Sequence, residues 1–165
     1  MRDEIYKLAE QVINLALEQG LSIATAESCT GGGIGAALTA IDGSSKVYAG
    51  GIISYSNDVK TNLLDVPKNT IKKHGAVSKQ TAKAMASGAR KALSTDIAIS
   101  VTGIAGPTGG SEEKPIGTVW IGLAQKGHAT KAAHFLFADA SRECVRTDTI
   151  VQALKFLIQA APNNV

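Results

Sequence analysis

The chain has 165 residues, enough for one domain of ordinary size with a full hydrophobic core. Apolar residues make up 44% and charged residues 19%, a globular composition that excludes a disordered chain, and aromatic residues are scarce at 4%. The formal charge of +3 comes without basic residues interleaved with aromatics, which argues against nucleic acid, and no apolar run approaches the ~18 residues that span a bilayer.

Taken in chain order, Asp3 to Gln19 carries Ile5, Leu8, Val12, Leu15 and Ala16 at helical spacing, with Gly20 as its stop. This amphipathic start differs from a signal peptide, and with two distant cysteines, Cys29 and Cys144, it fits a reducing, cytoplasmic setting without a disulfide. Ser22 to Ala26 reads as a short buried strand running into Glu27-Ser28-Cys29-Thr30-Gly31-Gly32-Gly33, and a small-residue helix follows over Ile34 to Ala40. A second strand is expected over Val47 to Tyr55. Ser56 or Asn57 then caps a short helix that holds Lys60 about one turn in. Pro67 opens another short helix, which bears Lys68, Lys72 and Lys73 on one exposed face and ends at His74-Gly75. Ser78 caps a longer helix to Leu93. Asp96 to Val101 is a third strand and ends in Thr102-Gly103-Ile104-Ala105-Gly106-Pro107. Strands over Gly117 to Ala124 and Thr130 to Phe137 form a hairpin about Lys126-Gly127, and a helix over Ser141 to Gln159 closes the chain. The expectation is a single three-layer α/β/α sandwich whose five-stranded mixed sheet is mostly parallel with one antiparallel strand.

Two polar glycine loops follow strands, where backbone N–H groups and a helix amino end make an anion site or an oxyanion hole. Neither matches a phosphate loop or a dinucleotide fingerprint. Ser28 sits at a strand-to-helix junction beside Gly31 and Gly32, and a serine nucleophile needs a partner to take its proton. His74, His128 and His134 have little catalytic motif support, which leaves a lysine as base, a known variant of the serine mechanism. Lys60 follows Tyr55-Ser56-Asn57-Asp58 and is the candidate, beside the plainer reading that it is one more surface lysine. Arg142 and Arg146 share a helix face and suit a phosphate by charge and fork geometry, although on the residues alone a solvated face with Glu143 nearby explains them somewhat better. The sequence holds no H-E-x-x-H and no C-x-x-C, so a mechanism without metal or cofactor is expected.

Thr25-Ala26-Glu27-Ser28-Cys29-Thr30-Gly31-Gly32, Tyr55-Ser56-Asn57 with Lys60, and His74-Gly75-Ala76-Val77-Ser78 resemble the CinA C-terminal domain family. So do Thr102-Gly103-Ile104-Ala105-Gly106-Pro107 and Lys114-Pro115-Ile116-Gly117-Thr118-Val119, and the resemblance runs from about Ser22 to Leu157. The amino-terminal domain of longer competence/damage-inducible members has no counterpart here, so the chain looks like the stand-alone nicotinamide-nucleotide amidases. The resemblance implies an enzyme that converts nicotinamide mononucleotide to nicotinate mononucleotide and ammonia. It implies Ser28 as nucleophile, Lys60 as base and Tyr55 as support for the proton transfer. Thr30, Gly31, Gly32, Thr102 and Gly103 would contact substrate or supply oxyanion donors, and Arg142, with Arg146 second, would hold the phosphate. The expected partner is a small-molecule nucleotide, with neither membrane nor nucleic acid involved, and alanine-rich helices suit a homo-oligomer. Two alternatives stand beside this: a non-enzymatic nucleotide-binding module of the competence or DNA-damage response, and a phosphate-ester hydrolase using the same loops.

Overall fold

In a computed structural model of the chain, which describes residues 2–138 and 141–161, the sheet contains β1 (Ile23–Glu27), β2 (Tyr48–Ile53), β3 (Ile97–Gly103), β4 (Thr118–Gln125) and β5 (Lys131–Leu136). Their order is β2-β1-β3-β4-β5, with β1 parallel to both β2 and β3 and β4 antiparallel to both β3 and β5. Four strands therefore share one direction and β4 alone opposes them, the mixed sheet expected from the sequence. The inner strands β1 and β3 are buried almost throughout, whereas the edge strand β2 alternates between half-buried and exposed. That is the burial pattern of parallel strands covered on both faces.

Helices α1 (Arg2–Gln19), α2 (Gly33–Thr39) and α6 (Arg142–Ala160) cover one face. Their core joins Val12, Ile13, Leu38 and Leu154 to Ile99, Val101 and Ile121 of the sheet. On the other face lie α3 (Asn57–Leu64), α4 (Lys68–His74) and α5 (Lys79–Ala92), where Met85, Ala89 and Leu64 meet Ala24, Ala26 and Ala98. Small residues make this second layer thin. Ser100 Oγ donates to Ala82 O at 2.6 Å, and a Cβ at Gly122 would come within 2.4 Å of that same carbonyl.

The connection from β1 to β2 uses α2 on one face, and the connection from β2 to β3 uses α3, α4 and α5 on the other. The chain thus diverges at the carboxyl ends of β1 and β3, the crevice where open α/β sheets bind ligands. Strand β3 runs two residues past the expected Val101, because Thr102 and Gly103 pair with Trp120 and Val119 of β4. Thr102 consequently stands on the sheet edge rather than opening a loop.

Candidate active site

Ser28 directly follows β1, held by its amide donating to Val101 O of β3 at 3.1 Å. The chain leaves the sheet there in a tight turn, with Gly31 N–H returning to Ser28 O at 3.0 Å. Gly31 and Gly32 both take positive φ, at 61° and 96°, which favours glycine at these positions. Lys60 comes from the first turns of α3, whose amino end is capped by Ser56 Oγ accepting from Val59 N–H at 3.2 Å. Ser56 is the cap, so Asn57 becomes the first helical residue.

Lys60 is only 1% exposed, an uncommon state for a lysine, and Nζ lies 3.0 Å from Ser28 Oγ. The same nitrogen donates to Ser54 O at 2.6 Å and to Tyr55 O at 3.3 Å. A neutral amine has two N–H bonds and one lone pair. The two carbonyls take the N–H bonds, and the lone pair is left facing the serine hydroxyl. Burial holds the Lys60 ammonium below its ordinary lysine pKa, with the adjacent Cys29 acting weakly in the opposite sense. After accepting a proton, Nζ has three acceptors for its three N–H bonds. The arrangement suits a group that must take a proton and give it back.

Ser28 and Lys60 line a cavity of about 200 Å³ together with Tyr55, Thr102, Gly103 and Arg142. Six of the ten residues expected at the site therefore meet in one place. Thr102 Oγ1 donates to Ala76 O at 2.9 Å, which fixes the Ala76–Val77 segment over the cavity. Arg142, in the first turn of α6, donates to Gly106 O at 2.8 Å and to the Tyr55 hydroxyl at 3.0 Å. The Tyr55 phenol is thus bound to the arginine, and only the Tyr55 carbonyl touches Lys60. A groove of about 740 Å³ shares Ala105 and Arg142 with the cavity.

Thr30, Gly31, Gly32 and Arg146 are placed differently. Thr30 Oγ1 and Gly32 N–H both donate to the Glu27 carboxylate, and Gly31 N–H is taken by Ser28 O. Arg146 donates to Thr30 O at 3.0 Å and holds the loop from behind, outside the cavity. The glycine loop is closed on itself, and its amides are not the open anion site that its composition suggests. The three histidines play no part here: His74 ends α4, His128 lies in the hairpin turn, and the His134 ring lies tilted against Trp120.

Sequence reasoning passed over Cys29, Asn57, Ala76, Val77 and Ala105, which also line the cavity. Asn57 was read as a helix cap. Cys29 was read only for disulfides, and both cysteines are free thiols. Burial pushes the Cys29 thiol up to about 11, so it is protonated near neutral pH and a poor nucleophile beside Ser28. Among the described residues there is no group of three or more His, Cys, Asp or Glu side chains able to hold a metal ion, and no helix is long and apolar enough to cross a membrane.

Known proteins carry the same fold. The family model of the CinA C-terminal domain matches residues 5–161. A CinA-like protein of Parasynechococcus marenigrum is 48% identical over 147 residues, covering 89% of this chain and 35% of that protein. A CinA-like protein of a Geobacter species is 48% identical over 151 residues, covering 92% of this chain and 36% of its own. The chain spans about a third of the length of these curated relatives. Among solved structures, the competence/damage inducible protein CihA from Agrobacterium tumefaciens has a TM-score of 0.92 at 42% identity, with 94% of each chain covered. The competence damage-inducible protein A (ComA) from Klebsiella pneumoniae has a TM-score of 0.91 at 34% identity, covering 98% of this chain and 99% of that one.

Proposed function

The chain belongs to the CinA C-terminal domain family, and we propose that it is a serine amidohydrolase that converts nicotinamide mononucleotide to nicotinate mononucleotide and ammonia. The observation that carries the reading is the buried Lys60 Nζ at 3.0 Å from Ser28 Oγ, with Ser54 O and Tyr55 O as its two other hydrogen-bond partners. A nucleophile and a base within hydrogen-bond reach, the base oriented by further groups, is the signature of covalent acyl transfer.

Ser28 Oγ attacks the carboxamide carbon while Lys60 takes the hydroxyl proton. The tetrahedral oxyanion is met by backbone N–H groups at the cavity wall, with the Cys29 amide, directly after the nucleophile, the first candidate. Collapse breaks the C–N bond, and Lys60 returns its proton to the departing ammonia. Water, deprotonated by the same neutral lysine, then releases the carboxylate and restores Ser28. The cavity accepts the pyridine ring, and the ribose phosphate extends past Arg142 toward the larger groove. Arg142 supplies the fork for the phosphate, oriented by Gly106 O and the Tyr55 hydroxyl.

Incubating the purified protein with nicotinamide mononucleotide, with and without EDTA, tests this. Equal amounts of ammonia and nicotinate mononucleotide, unaffected by EDTA and lost in Ser28→Ala, are expected. Tight nucleotide binding without ammonia release from folded protein would overturn the proposal in favour of a binding module. Release of inorganic phosphate instead would overturn it in favour of phosphate-ester chemistry.

A further inference from the structure

Glu27 is the last residue of β1 and 1% exposed, a carboxylate buried next to the nucleophile that the acylation steps do not use. Its oxygens accept four hydrogen bonds. Oε2 takes Thr30 Oγ1 at 2.6 Å, Gly32 N–H at 3.1 Å and Ile34 N–H at 3.0 Å, and Oε1 takes Gly35 N–H at 2.8 Å. The residue capping α2, Gly32, has no side chain to satisfy these amides, so the carboxylate does it from the preceding strand. The main chain of Glu27 faces the other catalytic group. Its carbonyl accepts from Ser54 N–H at 2.8 Å, and the Ser54 carbonyl accepts from Lys60 Nζ at 2.6 Å.

We infer that Glu27 is the positioning residue of the dyad, its carboxylate fixing the Ser28 turn while its peptide carbonyl, through Ser54, fixes Lys60. The two arms of the dyad come from different elements, β1 and α3, and both are referred to this one residue. A small loss of register between them would lengthen the contact from Nζ to Oγ without touching the substrate phosphate. The same contacts take up donors of the glycine loop with a carboxylate of the protein itself, and the substrate anion is left to Arg142 across the cavity.

A glutamine at this position cannot reproduce the set. With its oxygen at the site of Oε2, its NH₂ faces the Gly35 N–H, donor against donor; flipped, it opposes the N–H groups of Gly32 and Ile34. The inference rests on the serine–lysine reading, so the test uses two readouts. A fluorophosphonate labels the activated serine without needing an amide substrate, and ammonia release from nicotinamide mononucleotide reports turnover. In folded Glu27→Gln we expect the second-order rate of Ser28 labelling and kcat to fall together by about 10- to 100-fold, with KM within about twofold. Thr30→Val, which removes one donor and keeps the charge, should give a smaller fall in both and serves if Glu27→Gln does not fold. A fold defect alone would lower the active fraction and leave the labelling rate of the remaining molecules unchanged. Labelling and kcat at unsubstituted rates in either folded variant would overturn the role of Glu27. If the unsubstituted protein labels at Ser28 but releases no ammonia, the substrate proposal fails, and the Glu27 inference stands or falls on the labelling ratio alone. No labelling of Ser28 in the unsubstituted protein would overturn both.

Discussion

Replacing Lys60 by arginine keeps a long basic side chain but fixes its charge, and so removes the base. A guanidinium does not release its proton in a protein, so no lone pair can face Ser28 Oγ across the 3.0 Å contact. A positioned general base contributes roughly 10²- to 10⁴-fold in rate, or about 3–5 kcal/mol of barrier at about 1.4 kcal/mol per decade. Lys60→Arg should lose activity within that range, while the oxyanion donors and Arg142 keep a residual rate. The pH profile carries the same argument. Lowering the pH protonates Lys60 and stops acylation, so kcat/KM rises with pH through the lysine pKa and then levels. Burial holds that pKa below the ordinary value of 10.5, so the plateau should be reached well before an exposed lysine would titrate. Ammonia release measured from roughly pH 5 to 10 reports the pKa of the free enzyme. Lys60→Arg within tenfold of the unsubstituted rate, or a flat profile across roughly pH 6 to 9, would refute the assignment of the base.

Arg142→Ala should raise KM for nicotinamide mononucleotide by about 10- to 150-fold, the equivalent of one charge-assisted hydrogen bond of ~1.5–3 kcal/mol. The riboside, which lacks the phosphate, should be hydrolysed equally by both forms; equal losses on the two substrates would remove Arg142 from phosphate binding. Tyr55→Phe leaves the carbonyl contact to Lys60 and removes the phenol that accepts from Arg142. It should therefore raise KM several-fold with kcat nearly unchanged, and a large fall in kcat alone would return the phenol to the proton transfer. Gly122→Ala would set a methyl group against Ala82 O and Ser100 Oγ, at 2.4 and 2.5 Å in the present packing. It should cost about 1–3 kcal/mol, seen as a fall in Tm of about 2–4 °C per kcal/mol. An unchanged Tm would mean that α5 can retreat from the sheet.

The order of elements and the direction of the sheet were legible because hydrophobic period and turn residues are local signals. The pairing of Ser28 with Lys60 was not, since it depends on where β1 and α3 meet, and residues 32 positions apart carry no spacing rule. Arg142 reached the cavity while Arg146, one turn later on the same face, reached the Thr30 carbonyl behind it. Helical periodicity places both on one side, and their different partners, Gly106 O and the Tyr55 hydroxyl against Thr30 O, separate them. The glycines at 31 and 32 signalled close backbone approach correctly. What approached was Glu27 from inside the fold, because a buried carboxylate one residue before the nucleophile competes with any external anion for the same amides. Thr102 was read as a loop residue because its pairing with Trp120 spans the intervening loop and leaves no local mark.

Turnover through Ser28 passes by a covalent acyl intermediate. Quenching the reaction with acid within the first turnover of nicotinamide mononucleotide, then mapping the digested protein by mass, tests it most directly. A nicotinate-mononucleotide acyl group is expected on the peptide at Ser28, absent from Ser28→Ala. The same group on Cys29, or a Ser28→Ala protein that releases ammonia at the unsubstituted rate, would contradict it.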